Sequence, residues 1–146
     1  MYRKTFEELS KDELYALTKL RQQVFIVEQN SIYSDLDGYD QMAIHYLDFD
    51  HQDNLIAYAR YRKISRLDEV KIERVVLAVK SRGVGLGKSL IISMLTDIQG
   101  EYPLAKITLS SQIYASEFYQ RLGFVELGDV YDDGGIMHVG MVYQGR

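Results

Sequence analysis

A short glycine-rich segment joins a strand-like run to an amphipathic helix in the middle of the chain. Its sequence, from residue 81 to residue 89, is Ser-Arg-Gly-Val-Gly-Leu-Gly-Lys-Ser. Glycine has no Cβ, so a ligand can approach the backbone closely there, and the first amides of a helix have no intrahelical acceptor. Together with the helix dipole, these amides form a site for an anion such as a pyrophosphate. Arg82 and Lys88 add positive charge at the two ends of the loop.

Three phosphate-loop patterns compete for this segment. The Walker pattern requires a glycine at the position of Arg82, and the dinucleotide fingerprint requires one at the position of Lys88, so both fail. A third pattern, Arg/Gln-x-x-Gly-x-Gly/Ala after a long strand, is met by Arg82, Gly85 and Gly87 without a mismatch. A glycine-rich turn that serves only helix packing stays open as the alternative, because short glycine motifs recur by chance.

The composition indicates an ordinary globular protein and excludes several kinds of site. A chain of 146 residues, 47% apolar and 26% charged, suits one domain over 1–146. It has no cysteine, which excludes disulfides, thiolate metal sites and a cysteine nucleophile. Without a membrane-length apolar run or a signal-peptide pattern, we expect a cytoplasmic protein with no membrane partner. The net charge of −4, with no basic stripe, argues against nucleic acid and mildly favours a cationic amine.

Hydrophobic periodicity predicts a strand, a helix, three strands, a helix, a strand, a helix and two strands, in that order. Ser10 and Glu13 form a capping-box pattern at the start of the first helix, whose apolar face extends to Phe25. The predicted strands are 2–6, 43–49, 55–64, 70–79, 106–109, 124–130 and 136–143; the later helices are 87–98 and 115–122. Residues 27–42 are polar and predict a loop. This order is typical of an α/β fold on a mixed sheet.

Two further motifs accompany the glycine loop. Upstream, the strand Ile72-Glu73-Arg74-Val75-Val76-Leu77 is followed, after four residues, by Arg82-Gly83. Downstream, residues 115–124 match the pattern Ala-x-x-apolar-Tyr-x-x-apolar-Gly-Phe. Together with the loop, these motifs resemble the GNAT N-acetyltransferases. The resemblance implies the GNAT fold, a mixed and mostly antiparallel sheet of six to seven strands flanked by helices. In that fold a splayed strand pair forms the acetyl-CoA cleft.

The rest of the chain resembles the ElaA-like branch of these acetyltransferases. The similar stretches are Leu20 to Gln29, the pattern Asp35-x-Asp37-Gly38-x-Asp40, and Gly135 to Met141. They extend the resemblance over nearly the whole chain, but the branch implies no particular acceptor. The element Arg-x-x-Val-Phe also resembles acyl-homoserine-lactone synthases, which share the fold. The larger lipid-binding segments of those enzymes have no counterpart in a chain this short.

The resemblance implies acetyl-CoA as cosubstrate and assigns residues to it. The backbone of one splayed strand hydrogen-bonds the pantetheine arm, and an amide there polarises the thioester carbonyl in the manner of an oxyanion hole. By motif alignment that strand segment is Val75, Val76 and Leu77. The pyrophosphate would lie on the glycine loop, formed by Arg82, Gly83, Val84, Gly85, Leu86, Gly87 and Lys88.

Acyl transfer to an amine also needs a proton donor for the leaving thiolate and a base for the amine. Tyr119 occupies the position where the family often has its general acid, and a phenol can deliver a proton to a nearby thiolate. Glu73 occupies the position where many members have a carboxylate base, and period-two alternation would put Glu73, Val75 and Leu77 on one face. The alternative is that Glu73 forms an ion pair with Lys71 or Arg74.

Other polar residues are candidates for the acceptor side of the cleft. His45 and His138 are alternative bases, because an unperturbed imidazole titrates near neutrality. Arg21 and Glu28, seven residues apart, share a helix face and would form either part of the acceptor wall or a structural ion pair. Asp37 lies in an acidic loop that either lines the acceptor cleft and attracts a cation or is a solvated loop with Asx turns.

The acidic loop does not match a calcium site. With Asp35 as its first ligand, Tyr39, Asp40 and Tyr46 would occupy positions five, six and twelve, where the EF-hand loop needs an oxygen ligand, glycine and glutamate. No pair of histidines has helical spacing, so we expect no metal.

The sequence therefore predicts an acetyl-CoA-dependent N-acetyltransferase that acts on a primary amine of a small molecule or peptide, as a monomer or homodimer. Two alternatives remain. One is a non-catalytic acyl-CoA-binding module, and the other is an acyltransferase that uses a longer acyl donor.

Overall fold

A computed structural model describes residues 1–64 and 68–145 of the chain. Its strands are β1 (Tyr2–Thr5), β2 (Ile44–Phe49), β3 (Leu55–Ile64), β4 (Glu69–Leu77), β5 (Lys106–Gln112), β6 (Phe124–Asp133) and β7 (Ile136–Tyr143). Its helices are α1 (Lys11–Arg21), α2 (Leu86–Glu101) and α3 (Ser116–Arg121). A π-helical turn, Gln22–Glu28, continues α1, and short 3-10 turns cover Asp40–Met42, Val79–Ser81 and Ile113–Ala115.

The seven strands form one mixed sheet in the order β1-β2-β3-β4-β5-β7-β6. Neighbouring strands are antiparallel except for the central pair, β4 and β5. These two pair in parallel only from Glu69 with Lys106 to Ile72 with Leu109, and then separate. The predicted α/β fold with a mostly antiparallel sheet is therefore confirmed.

Local signals account for the helix ends. The Ser10 side chain accepts from the Glu13 amide at 3.0 Å, and the Glu13 carboxylate accepts from the Ser10 amide at 2.8 Å, so the predicted capping box forms. The Gln29 amide bonds to the Val24 carbonyl, five residues back, which marks the wider turn after α1. The predicted loop over residues 27–42 therefore begins later, after this turn.

Helices cover both faces of the sheet and define two cores. On the face covered by α2, called the α2 face, the core includes Ile72, Met94 and Leu109. On the opposite face, called the α1 face, a smaller core surrounds Leu17 and Val76. None of the helices in the described ranges is long and apolar enough to cross a membrane.

A bulge in β4 interrupts the alternation of side chains between these faces. Arg74 has a φ of +58°, and the register between β3 and β4 shifts beside it. After the bulge, Val75 and Leu77 pack against the core of the α2 face, while Glu73 bonds to β3 side chains on the α1 face. The prediction that Glu73, Val75 and Leu77 share one face is therefore wrong, because the extra residue reverses the alternation.

Candidate active site

The candidate active site is a cleft of about 680 Å³ at the point where β4 and β5 separate. Beyond Ile72, β4 pairs with β3 along one edge, so the other edge of residues 73–77 is free of a strand partner. The glycine loop, α3, the end of β5, the β6–β7 hairpin and the π-helical turn supply the other walls. This volume is typical of a small-molecule site.

The glycine loop presents backbone amides to this cleft. Gly83 and Gly85 have φ of +82° and +84°, a left-handed conformation that favours glycine. A Cβ on Gly87 would lie 3.4 Å from Leu77 and 3.5 Å from the Phe118 ring, so the third glycine lets α2 pack closely. No side chain of the described residues caps the N-terminus of α2. Its first amides are therefore open to an anion.

Arg82 holds the loop against two other segments. Its guanidinium donates to both Glu28 carboxylate oxygens, at 2.8 and 3.0 Å, and to the Leu77 carbonyl at 3.1 and 3.2 Å. The hydrogen bond from Arg82 lowers the pKa of Glu28. The alternative ion pair between Arg21 and Glu28 does not form. Glu28 pairs with Arg82 instead, and Arg21 pairs with two aspartates of the acidic loop.

All predicted cofactor residues except Val84 line the cleft, and Val84 is 78% exposed. Tyr119 and Glu73 also line it, as do Glu28 and His138. The structure does not bring the remaining acceptor candidates to the cleft. Arg21, Asp37 and His45 lie outside its lining.

Tyr119 is buried between Phe118 and Phe124, whose rings meet its ring edge-on at centroid distances of 5.0 and 5.9 Å. Burial, followed by the charge of Tyr114, raises the pKa of Tyr119 above its ordinary value. In the described part of the chain, no group hydrogen-bonds to its hydroxyl. Tyr119 is thus a protonated phenol on the wall of the cleft.

Glu73 is held by two arginines rather than by the partners expected from sequence. Arg62 Nε donates to Glu73 Oε1 at 2.6 Å, and Arg60 Nη2 donates to the same oxygen at 3.3 Å. The prediction of Lys71 or Arg74 as its ion-pair partner is therefore wrong. Glu73 lies directly opposite Arg60 in β3, and Arg62 is two residues further along the same strand face.

The two histidines have different environments. His138 Nδ1 lies 2.7 Å from the Ile136 carbonyl, and its ring stacks on Tyr131 at 6.0 Å. Because a carbonyl only accepts, Nδ1 carries the hydrogen, which leaves Nε2 of the neutral ring as an acceptor. His45 is fully buried, with Nε2 2.8 Å from the Asp40 carbonyl and Nδ1 2.6 Å from the Tyr58 hydroxyl. Burial lowers the pKa of His45, which is therefore neutral.

The aspartate loop, residues 30–43, is fastened to the sheet by arginines. Arg21, fully buried, donates to Asp35 and Asp40 carboxylates at 2.8 Å each. Arg60 donates to Asp40 at 2.7 Å and to Asp37 at 2.6 Å. Burial alone would raise the pKa of Asp37, but the hydrogen bonds from Arg60 and the Tyr39 amide outweigh it and lower this pKa to about 2. The Asx turn expected at Asp37 is present, since its carboxylate accepts from the Tyr39 amide.

The bulge residue joins the same network. Arg74 Nη2 donates to Asp37 at 3.1 Å, and Arg74 Nε lies 2.9 Å from Asp35 Oδ1. Its guanidinium also lies over the Tyr33 ring, 5.5 Å from the centroid. Arginines therefore pair with the carboxylates of the acidic loop, while its Asx turn and several of its residues stay exposed to solvent. No group of three or more His, Cys, Asp or Glu in the described ranges could hold a metal ion.

Sequence reasoning missed a side-chain bridge across the cleft. Gln112 Nε2 donates to Gln29 Oε1 at 2.8 Å, and Gln29 Nε2 donates to the Tyr114 hydroxyl at 3.2 Å. The bridge was not predicted because the fifth strand was predicted to end at Leu109, three residues before Gln112. Alternation continues beyond Leu109, with Ser111 buried and Gln112 on the opposite face. Extending the period-two pattern by three residues would have found the bridge.

Comparisons with known proteins agree with this geometry. A family model described as an acetyltransferase (GNAT) domain matches residues 7–144. Protein ElaA of Escherichia coli is 39% identical over 137 residues, 92% of this chain and 89% of ElaA. A UPF0039 protein of Synechocystis sp. is 34% identical over 140 residues, 95% of this chain and 91% of the relative. These matches confirm the resemblance to ElaA-like proteins.

Solved structures extend the comparison. The crystal structure of E. coli ElaA has a TM-score of 0.92 at 36% identity and covers 98% of this chain and 97% of that one. An acyl-CoA N-acyltransferase from Pseudomonas aeruginosa has a TM-score of 0.90 at 34% identity, with 97% of both chains covered. An aminoglycoside 6'-N-acetyltransferase complexed with coenzyme A has a TM-score of 0.72 at 16% identity, covering 97% and 96%, and shares the fold alone.

Proposed function

The chain belongs to the GNAT acetyltransferase family, and we propose that it transfers an acetyl group from acetyl-CoA to a primary amine of a small molecule or peptide. The observation that carries this proposal is the separation of β4 and β5 beside the glycine loop. As a result, a free backbone edge lies beside the uncapped N-terminus of α2, and both border the cleft of about 680 Å³. An extended thioester cosubstrate such as acetyl-CoA would fit this combination of strand edge, helix N-terminus and cleft.

In this proposal acetyl-CoA binds along the α2 side of the cleft. The first amides of α2 and the Lys88 ammonium would hold the pyrophosphate. The free edge of Val75 to Leu77 would pair with the amides of the pantetheine arm, and a backbone amide there would polarise the thioester carbonyl. Arg82 would order the loop through Glu28 and Leu77, since most of its donors already have acceptors.

The reaction needs a base for the amine proton and a hydrogen-bond donor for the leaving thiolate, which then takes its proton from solvent. The amine nitrogen attacks the thioester carbon, the new C–N bond forms, and the C–S bond then breaks to release the thiolate. We propose that His138 Nε2 accepts the amine proton, since the Ile136 carbonyl fixes its tautomer. Glu73, the base expected from sequence, would instead position Arg60 and Arg62.

Tyr119 is the proposed hydrogen-bond donor to the thiolate. It lines the cleft and its raised pKa keeps it protonated at neutral pH. The same shift makes complete proton transfer less favourable, so its main contribution would be a hydrogen bond to the developing charge on sulfur. Tyr119→Phe removes this donor and little else. Loss of one preorganised donor to a developing charge should lower turnover about a hundredfold while the affinity for acetyl-CoA is unchanged.

The test of the proposed function is thiol release from acetyl-CoA across a panel of amines, with calorimetry of coenzyme A binding. Binding with amine-dependent thiol release, reduced by Tyr119→Phe, supports the enzyme. Binding without release for any amine would favour a non-catalytic acyl-CoA-binding module. Faster release from longer acyl thioesters would favour the second alternative, an acyltransferase with a longer donor. Wild-type turnover in Tyr119→Phe, measured where chemistry limits the rate, would contradict the role of this residue.

A further inference from the structure

Lys71 lines the side of the cleft proposed for the acceptor, and the described residues give it no carboxylate partner. Lys71 lies in β4 and lines the same cleft as His138. Among residues 1–64 and 68–145, no ion pair includes Lys71. Arg62 is directly opposite it in β3, and its charge is paired with Glu73. Lys71 is half-buried, and an anion beside it would stabilise its partly desolvated ammonium.

The carboxylates nearest to Lys71 along its own strand are already occupied. Glu69 Oε2 accepts from the Thr108 hydroxyl at 2.7 Å, and Glu73 Oε1 accepts from Arg62 at 2.6 Å. Glu69 lies two residues before Lys71 in the strand, and Glu73 lies two residues after it. They lower the positive potential at Lys71 without supplying the missing contact.

The carboxylates that would recognise a polycation are likewise neutralised. Both carboxylate oxygens of Glu28 accept hydrogen bonds from Arg82, and the Glu73 carboxylate pairs with two arginines of β3. Asp133, at the exposed tip of the β6–β7 hairpin, is the remaining carboxylate of the cleft lining in the described ranges. The local charges therefore oppose a polyamine, although the net charge of −4 alone favours a cation.

The spacing between Lys71 and His138 limits the size of an acceptor that reaches both. In the sheet Lys71 is opposite Thr108, and His138 is opposite Gln112, four residues further along β5. At about 3.3 Å per residue these positions are ~13 Å apart along the strands, and β4 and β7 are two strand spacings apart across the sheet, so the direct separation is roughly 16 Å. If the lysine and histidine side chains together cover roughly 10 Å of this distance, the remainder matches the length of about two extended residues.

On the premise of the acetyltransferase function above, we propose that the acceptor is an amine that carries a carboxylate, of amino acid to short peptide size. Its amine lies at His138, and its carboxylate forms a charge-assisted hydrogen bond with Lys71. Removal of the carboxylate charge from the acceptor, or of the ammonium from Lys71, should weaken binding about tenfold, the range of one hydrogen bond to a charged group.

The test compares glycylglycine, glycylglycinamide and spermidine as ligands of the protein loaded with coenzyme A. Calorimetry measures their affinities, and thiol release from acetyl-CoA measures turnover separately. We expect the dipeptide to bind about tenfold more tightly than its amide and more tightly than spermidine. Lys71→Met should abolish the difference between acid and amide, and Lys71→Arg should retain it. Lys106→Met, at the exposed start of β5 and outside the cleft, is the matched control.

The outcomes separate the two proposals. Preferential binding of the acid that depends on Lys71, without turnover for any amine, would preserve this inference and overturn the catalytic proposal. Turnover with equal affinity for acid and amide, or with tighter binding of spermidine, would overturn this inference and leave the acetyltransferase. Acid preference that survives Lys71→Met would also overturn the assignment of Lys71.

Discussion

The two halves of the cleft are built in different ways. The half proposed for acetyl-CoA is made from consecutive residues: β4, the glycine loop and the start of α2 follow one another within residues 75–89. The opposite half combines side chains from the π-helical turn, the aspartate loop, β4, β5 and the β6–β7 hairpin, and buried arginines of α1 and β3 hold the aspartate loop in place. Its position depends on buried charges rather than on backbone amides. A local motif can therefore specify the first half, whereas the second exists only when distant segments meet.

The largest expected effect follows from the backbone origin of the glycine half. Gly85→Glu places a carboxylate at the N-terminus of α2, at a φ of +84° that disfavours any side chain. No atom lies within 4 Å of the Cβ it would add, so the chain should still fold. Negative charge at an anion site should abolish coenzyme A binding in calorimetry. Gly100→Glu, at the exposed end of α2, controls for charge and composition. Unchanged affinity in folded Gly85→Glu would contradict the loop assignment.

The next prediction concerns the charged framework of the other half. Arg21→Met leaves Asp35 and Asp40 buried with fewer donors, and breaking a buried ion pair from one side destabilises proteins by about 3 kcal/mol or more. Urea unfolding should show this loss in the free energy of unfolding. Arg121→Met, which removes an exposed pair with Glu117, should change it by less than about 0.5 kcal/mol. Equal effects in the two variants would show that the network does not hold the loop.

The third prediction separates the two base candidates, which belong to the same half of the cleft. If His138 accepts the amine proton, His138→Gln should lower turnover about a hundredfold at neutral pH, with recovery at high pH where the amine is already neutral. Glu73→Gln should keep the acidic limb of the pH–rate profile. A limb that moves in Glu73→Gln and stays in His138→Gln would restore the carboxylate as the base.

The smallest expected effect is a pH dependence of stability from His45. Burial lowers its folded pKa, so below the unfolded value of about 6.5 the unfolded state binds the proton more strongly. Stability should therefore fall as the pH drops from 7 to 5, by at most about 1.4 kcal/mol per pH unit for one proton. His45→Gln should reduce this slope in urea unfolding, and His51→Gln, on an exposed turn, is the control. An unchanged slope in His45→Gln would contradict a neutral, buried His45.

Much of the fold was predictable because its signals are local. Alternation predicted β3 and β7 at their observed bounds, and Ser10 with Glu13 predicted the start of α1. The π-helical turn and the bulge at Arg74 were not predictable from periodicity. Each inserts one residue into a regular pattern. The bulge residue is an arginine with a positive φ, and its residue type gives no indication of that backbone conformation.

The sequence by itself determined the order of elements, the glycine loop and the family, because each of these depends on residues close together in the chain. Tertiary structure alone decided the partners of the charged side chains. Arg21 could have paired with Glu28 on its own helix face, yet Arg21 binds the aspartate loop and Glu28 binds Arg82. The bulge then moved Val75 and Leu77 to the α2 face and left Glu73 beside Arg60 and Arg62 on the other face. An ion pair depends on distances in space and on desolvation, and neither quantity is fixed before the segments pack together.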